Sequence, residues 1–151
     1  MLNKINGSEN IDELNDSMKA LSKFYKAFNE RDIHLMESVW DNNDKSVMDN
    51  PVGGIKIGWN DIKDVYTRIF TSNAKVYVEF YDFIIQESDG FFYITGKEKG
   101  TFQKGNTNLD LRIRTSRIFR KINEKWVQIH HHGSIDDPEL LKTYQEAVSA
   151  S

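Results

Sequence analysis

The residues with the most chemical potential lie in strand-like runs of the second half of the chain. They are Arg117, Asp82, Glu98 and the consecutive histidines His130, His131 and His132. Side chains alternate along a strand, so His130 and His132 share a face, with Cα atoms roughly 6.8 Å apart at ~3.4 Å rise per residue. Two imidazoles can hold one zinc ion, but a catalytic zinc site usually uses three protein ligands, and no HExxH spacing occurs. No metal is expected, and subunit contact or core hydrogen bonding is left as the role of the run.

Arg117 is an anomaly of its own strand. The odd positions Leu109, Leu111, Ile113, Thr115, Arg117 and Phe119 read as the core face, and the even positions Asp110, Arg112, Arg114, Ser116 and Arg120 as the outer one. A guanidinium on an apolar line needs a carboxylate, carbonyl groups or an anionic ligand, because burying it unpaired is expensive. Three readings stay open: an internal ion pair, a ligand anchor, or a β-bulge that shifts the parity. Asp82 falls in line with Val76, Val78, Phe80 and Ile84, and Glu98 with Phe92, Ile94 and Phe102. Either carboxylate can neutralise Arg117 or, with a pKa raised by burial, act with His131 as acid or base. On the last run Val127, Ile129 and His131 read as core, and Trp126, Gln128, His130 and His132 as an amphipathic outer face.

The elements that must position these groups follow from apolar periodicity. Ile11, Leu14, Met18, Leu21, Tyr25 and Phe28 form one helical stripe over residues 11 to 30, with Asn10 and Glu13 placed as a capping box. Asp32 caps a second helix carrying Ile33, Met36, Val39 and Trp40; Lys45 to Asn50 reads as a short strand stopped by Pro51 and Gly53-Gly54. Asn60 is placed as the cap of a third helix. After Asn73 the period changes from about 3.6 to 2, giving runs 75–86, 91–103, 108–121 and 125–132. Links this short join only antiparallel neighbours, so the four runs form a meander. Asp137-Pro138 opens a C-terminal helix over 137–149. Helices that precede a long meander mark an α+β fold, expected here as a single domain over 1–151 with its core in 11–135.

Composition narrows the function classes. The chain of 151 residues has no cysteine, which excludes disulfides, cysteine nucleophiles and thiolate metal sites. Twenty basic against 23 acidic residues leave a net charge of −3, without the basic excess of a nucleic-acid binder. No apolar run is long enough to span a bilayer, and the first ten residues lack a signal peptide's apolar centre. A cytoplasmic protein is the expectation. Nine Phe, six Tyr and three Trp suit a large core or a lined cavity. No GxGxxG or Gly-Lys-Ser/Thr loop is present, so no nucleotide site and no cofactor are expected.

The stretch from Arg117 to Ser134 is similar to the last two strands of the nuclear transport factor 2-like superfamily, in particular SnoaL-like domains and the association domain of calcium/calmodulin-dependent kinases. The features are an arginine, a tight turn, a tryptophan (Trp126) and an H-x-H-x-S ending at His130, His132 and Ser134. The order of helix, Asp32-led helix, Trp40, Asn50-Pro51-Val52-Gly53-Gly54, Gly58 and helix also resembles that superfamily. The resemblance implies a cone-shaped, curved antiparallel sheet packed on three N-terminal helices, with a pocket between them and a sheet surface used for dimerisation. It implies that Arg117 lines the pocket; a second pocket arginine of the association domains falls at Gly133. Ketosteroid isomerases share the superfamily, but their general base falls at Asn50, with Asp49 on the opposite face. Their tyrosine falls at Phe24, with Tyr25 rotated away, and their carboxylic acid near Ser116 or Arg114. That chemistry is not expected here.

The leading expectation is a domain that binds a small anionic or carbonyl-bearing molecule through Arg117, His131, Tyr25, Trp40 and Tyr66. It dimerises through Trp126, Gln128, His130, His132, Arg112 and Arg114. Two alternatives stand beside it: a cyclase, hydratase or isomerase with its catalytic groups among Asp82, Glu98 and His131, and a dimeric scaffold with a vestigial pocket.

Overall fold

A computed structural model describes residues 4–149. A short strand β1 (Lys4–Ile5) leads through a single 3₁₀ turn to helices α1 (Asp16–Asn29) and α2 (Ile33–Val39). Strands β2 (Val47–Asp49) and β3 (Ile55–Ile57) and helix α3 (Trp59–Thr71) follow. The meander comprises β4 (Lys75–Glu87), β5 (Phe91–Lys104), β6 (Thr107–Ile122) and β7 (Lys125–Ser134), and α4 (Pro138–Ser149) closes the fold. Together the strands make one curved, unclosed sheet ordered β1-β4-β5-β6-β7-β2-β3, in which only the β2–β7 pairing is parallel. The α+β class and the meander agree with the sequence.

Local chemistry explains where the ends differ. α1 starts at Asn15, whose side chain accepts from Met18 N at 3.0 Å, while Asn10 caps only the 3₁₀ turn by accepting from Asp12 N. Leu14 between them is extended, so the apolar stripe is broken into two elements. Asp32 caps α2 as expected, accepting from Leu35 N at 2.9 Å. α3 begins two residues early, after Gly58 at φ 85°, which places Asn60 inside the first turn rather than at the cap. β3 is an addition: Asn50 to Gly54 close a hairpin through Gly53 N to Asn50 O at 2.8 Å, and Asn50 Oδ1 accepts from Val52 N at 3.1 Å.

Two bulges bend the long strands and reset their parity. In β4 the pairing jumps from Tyr81–Lys97 to Ile84–Thr95, with Asp82 at φ 49°. Beyond it Phe83 turns inward to stack on Phe80 at 5.2 Å, and Ile84 turns out at 67% exposed. In β7 His130 pairs with Ile118 but Gln128 with Phe119, so Ile129 is the extra residue. A bulge of this kind moves every residue on one side of it to the opposite face. Gln128 is therefore fully buried, and Trp126 packs edge-on against Phe92 at 4.9 Å. The sequence reading of Trp126 and Gln128 as outer, and of Val127 as core, is corrected by that single inserted residue.

The core lies between the concave sheet face and α1 to α3. Leu21, Phe24 and Tyr25 of α1, Met36 and Trp40, and Ile62 and Tyr66 of α3 are buried against Phe80, Phe92, Ile94, Leu111 and Phe119. Each fully buried large apolar side chain contributes about 1.5–3 kcal/mol by area. Gly96 on β5 leaves room for the stacked aromatic pair of β4, since a Cβ there would stand 2.8 Å from Phe80 Cζ and Phe83 Cβ.

Candidate functional site

Strand parity in β6 survives intact, and it carries Arg117 into the core at 1% exposed. Its Nη2 donates to Glu98 Oε2 at 3.1 Å and its Nη1 to Gln128 Oε1 at 3.0 Å. The same Glu98 oxygen accepts the Tyr25 hydroxyl at 2.5 Å. The guanidinium carbon lies 3.6 Å from the ring centroid of Phe24, close enough for a cation–π contact. α1 thus supplies a hydroxyl and an aromatic platform, β5 the carboxylate, and β7 the amide. Burial raises the Tyr25 pKa well above its usual value, and the Glu98 charge adds to it, so Tyr25 stays a hydrogen-bond donor. For Arg117, burial alone would lower the pKa; Tyr25 and Glu98 outweigh it, and the guanidinium stays charged.

Around this pair stand buried polar atoms with no hydrogen-bond partner among the described residues: Arg117 Nε, Gln128 Nε2, Trp40 Nε1, the Tyr66 hydroxyl, Thr115 Oγ1 and both ring nitrogens of His131. Native interiors satisfy the great majority of such groups, so a concentration of them beside one ion pair is unusual. Burial lowers the His131 pKa well below its ordinary value, and the Arg117 charge deepens the shift, so its imidazole is neutral at physiological pH. The Tyr66 hydroxyl is pushed up by burial and is protonated.

A cavity of about 70 Å³ reaches this cluster and is lined by Tyr66, Glu98, Arg117 and His131 together with Phe24, Leu111 and Ile113. It adjoins a wider space of about 300 Å³ beneath α4; Asn50, Val65, Ile69, Val76 and Tyr144 line both. Tyr144 of α4 lies edge-on to Phe102 at 5.4 Å. A larger depression, about 580 Å³, is a polar groove lined by Asn29, Lys75 and Asp110, and contains none of these groups.

Residues 18–138 match a family model for SnoaL-like domains. The chain belongs to the SnoaL-like domain family, within the nuclear transport factor 2-like superfamily. Among solved structures it resembles an NTF2-like protein of Streptomyces avermitilis to which dehydratase activity is provisionally ascribed. Identity there is 17%, with 79% of this chain and 93% of that one covered and a TM-score of 0.69. The association domain of C. elegans CaMKII matches at 17% identity over 80% and 93% of the two chains, TM-score 0.65. An NTF2-like protein of unknown function from Shewanella oneidensis matches at 17% over 80% and 97%, TM-score 0.62. Likeness at this level concerns the fold. No curated protein sequence matches the chain.

Within this SnoaL-like domain the structure gathers Arg117, Glu98, Tyr25, His131 and Tyr66 at one place, with Trp40 behind Tyr66 at a ring separation of 6.4 Å. Asp82 is not among them. The β4 bulge turns its carboxylate to the surface at 67% exposed, 3.4 Å from Lys97 Nζ. Glu98 is near the histidine, yet both partners of its bonded oxygen are Arg117 and Tyr25, and no carboxylate holds His131. An acid–histidine pair poised for general acid–base work is therefore not assembled. Asn50, at the position of the isomerase base, is a turn residue. At Gly133, where the association domains have a second arginine, a Cβ would stand 2.6 Å from Pro51 Cγ.

On the convex face, His132 Nδ1 lies 2.8 Å from Asp49 Oδ2 and His130 Nε2 lies 3.9 Å from it. Arg114 pairs with Asp136 at 2.9 Å, and Arg112 is exposed. No group of three or more potential metal ligands occurs among the described residues. No helix among them is long and apolar enough to cross a membrane. Phe24 and Gln128 are the partners of Arg117 that sequence reasoning missed. Phe24 was legible as the helical neighbour of Tyr25, whereas Gln128 was hidden by the bulge.

Proposed function

We propose that this protein binds a small molecule in the chamber between sheet and helices, through a carbonyl or hydroxyl group presented to Tyr66 and His131. The observation that carries the reading is the set of unpartnered polar atoms at the chamber floor, beside an arginine whose charge is already balanced. Because Glu98 neutralises Arg117, the floor suits an uncharged polar group better than an anion. The neutral His131 and protonated Tyr66 offer both donors and acceptors at that point. Most of the wall is apolar, as in typical small-molecule sites.

A thermal-shift screen of polar ketones and small carboxylates tests this. At a hundredfold excess over the dissociation constant a bound ketone should stabilise the fold by about 2.7 kcal/mol. Tyr66→Phe should weaken the response. A screen in which no ketone raises the melting temperature, or in which Tyr66→Phe responds like the wild type, contradicts the reading.

Self-association through the convex sheet face is the second element of the proposal. Phe91 and Tyr93 on β5 and Ile84 on β4 are 54%, 47% and 67% exposed there. Tyr93 lies in cross-strand line with Ile118 and His130. That is an apolar area with His132 and Arg114 beside it, of the composition found at protein interfaces. Light scattering should give twice the chain mass, and Tyr93→Lys should reduce it to the chain mass. A monomeric wild type at high concentration contradicts this element.

A further inference from the structure

The charges of the chamber and of its mouth are arranged differently. At the floor Arg117 faces Glu98, and the sum is zero. The mouth beneath α4 is lined by Lys56, Arg68 and Lys104, and no Asp or Glu lines it. The contrast stands against a chain of net charge −3. Lys104 donates to Ala147 O at 3.4 Å and so helps hold α4. Lys56 and Arg68 form no ion pair among the described residues. Arg68 Nε instead donates to the backbone oxygen of Asp64 at 3.4 Å, which holds the side chain along α3.

Between mouth and floor the wall is mostly apolar, with Asn50 its polar member. Val65, Ile69 and Val76 line both spaces, so the chamber and mouth share one wall from the surface to Tyr66. Charge-assisted hydrogen bonds favour a negative group where cations are uncompensated. Apolar surface removed from water favours a chain or ring between the two ends.

We infer that the ligand is an amphiphilic anion: an apolar body with an oxygen function at its inner end and a carboxylate or comparable acid at Lys56 and Arg68. This rests on the reading of the chamber as a binding site and adds the polarity and the direction of the ligand. It also reverses the expectation that the anionic end meets Arg117. Entry is head-last, with α4 and Tyr144 over the path.

The test uses the full chain and two probes, ω-hydroxydecanoate and the corresponding neutral decanediol, compared by isothermal titration calorimetry at low and high salt. The acid should bind about fivefold more tightly at low salt, a preference of the size that partly exposed ion pairs give, and salt should erase it. The double variant Lys56→Gln, Arg68→Gln should abolish the preference while leaving diol affinity unchanged. Equal affinities for acid and diol in the wild type, with both bound, overturn the inference and leave the chamber reading standing. A preference that persists in the double variant overturns it too, since the head then lies elsewhere. Binding of neither probe removes both the inference and the chamber reading beneath it. Arg68 is exposed and Lys56 half-buried, and an unchanged melting temperature verifies that the variant is folded.

Discussion

Arg117 at the chamber floor and Arg68 at its mouth are the same residue type in opposite circumstances. Arg117 is 1% exposed and is gripped by a carboxylate, an amide and an aromatic ring. Arg68 is exposed and has only a backbone carbonyl of its own helix. Water supplies the hydration at the mouth, so the charge there needs no protein counterion. At the floor the protein must supply all of it, because desolvating an ion costs several kcal/mol after relaxation. The difference teaches where a ligand's charge can act. An anion at the floor would have to displace Glu98 from Arg117, whereas at the mouth it meets Lys56 and Arg68, which form no ion pair among the described residues.

The largest effect should come from breaking the floor. Glu98→Ala strands a buried guanidinium and should cost about 3–5 kcal/mol in a denaturant titration. Arg117→Met should cost a similar amount, and the double variant Glu98→Leu, Arg117→Met should recover most of it, because an apolar pair needs no counterion. Additive losses in the double variant would mean that the two groups are not a coupled pair.

A pH series comes next in size. The native pKa of His131 is depressed, while the unfolded value is about 6.5. Below that value the unfolded chain takes up a proton that the native chain does not, so stability is full above about pH 6.5 and falls as pH drops. One such proton gives a slope of about 1.4 kcal/mol per pH unit. His131→Gln should flatten this part of the profile relative to the wild type. A slope below pH 6.5 that is unchanged in His131→Gln assigns it to other groups.

Tyr66→Phe should be smaller still. The hydroxyl has no protein partner, so its removal should leave stability within about 0.5 kcal/mol or raise it, since no hydrogen bond is lost. A loss near 2 kcal/mol would show that the hydroxyl has a structural role. At the mouth, Lys56→Gln and Arg68→Gln should each change stability by no more than about 0.5 kcal/mol, while altering the affinity for acids.

Much of this contrast was legible before any coordinates. β6 alternates without interruption, so Leu111, Ile113, Arg117 and Phe119 fall inward as their parity requires, and the same rule on β5 delivers Glu98. α2 and α4 follow from their caps. What the sequence hides is the insertion of a residue into a pair. Asp82 lies past no glycine or proline that would announce a bulge, yet φ 49° there turns it to solvent. Ile129 is likewise an ordinary strand former, and nothing local distinguishes it from its neighbours. The bulge answers to the partner strand instead: Gln128 turns in to meet Arg117 across the β6–β7 hairpin, a pairing demand that the alternation of β7 itself does not carry. The chamber itself is tertiary, since its walls come from α1, α3, β2, β4, β5, β6, β7 and α4.

The most direct measurement is a high-resolution crystal structure of the wild type grown with excess ω-hydroxydecanoate. The account predicts the hydroxyl within hydrogen-bond distance of Tyr66 or His131, the carboxylate beside Lys56 or Arg68, and the Arg117–Glu98 pair intact. A carboxylate seated on Arg117 with Glu98 displaced, or a chamber filled by protein side chains with the acid absent, would contradict it.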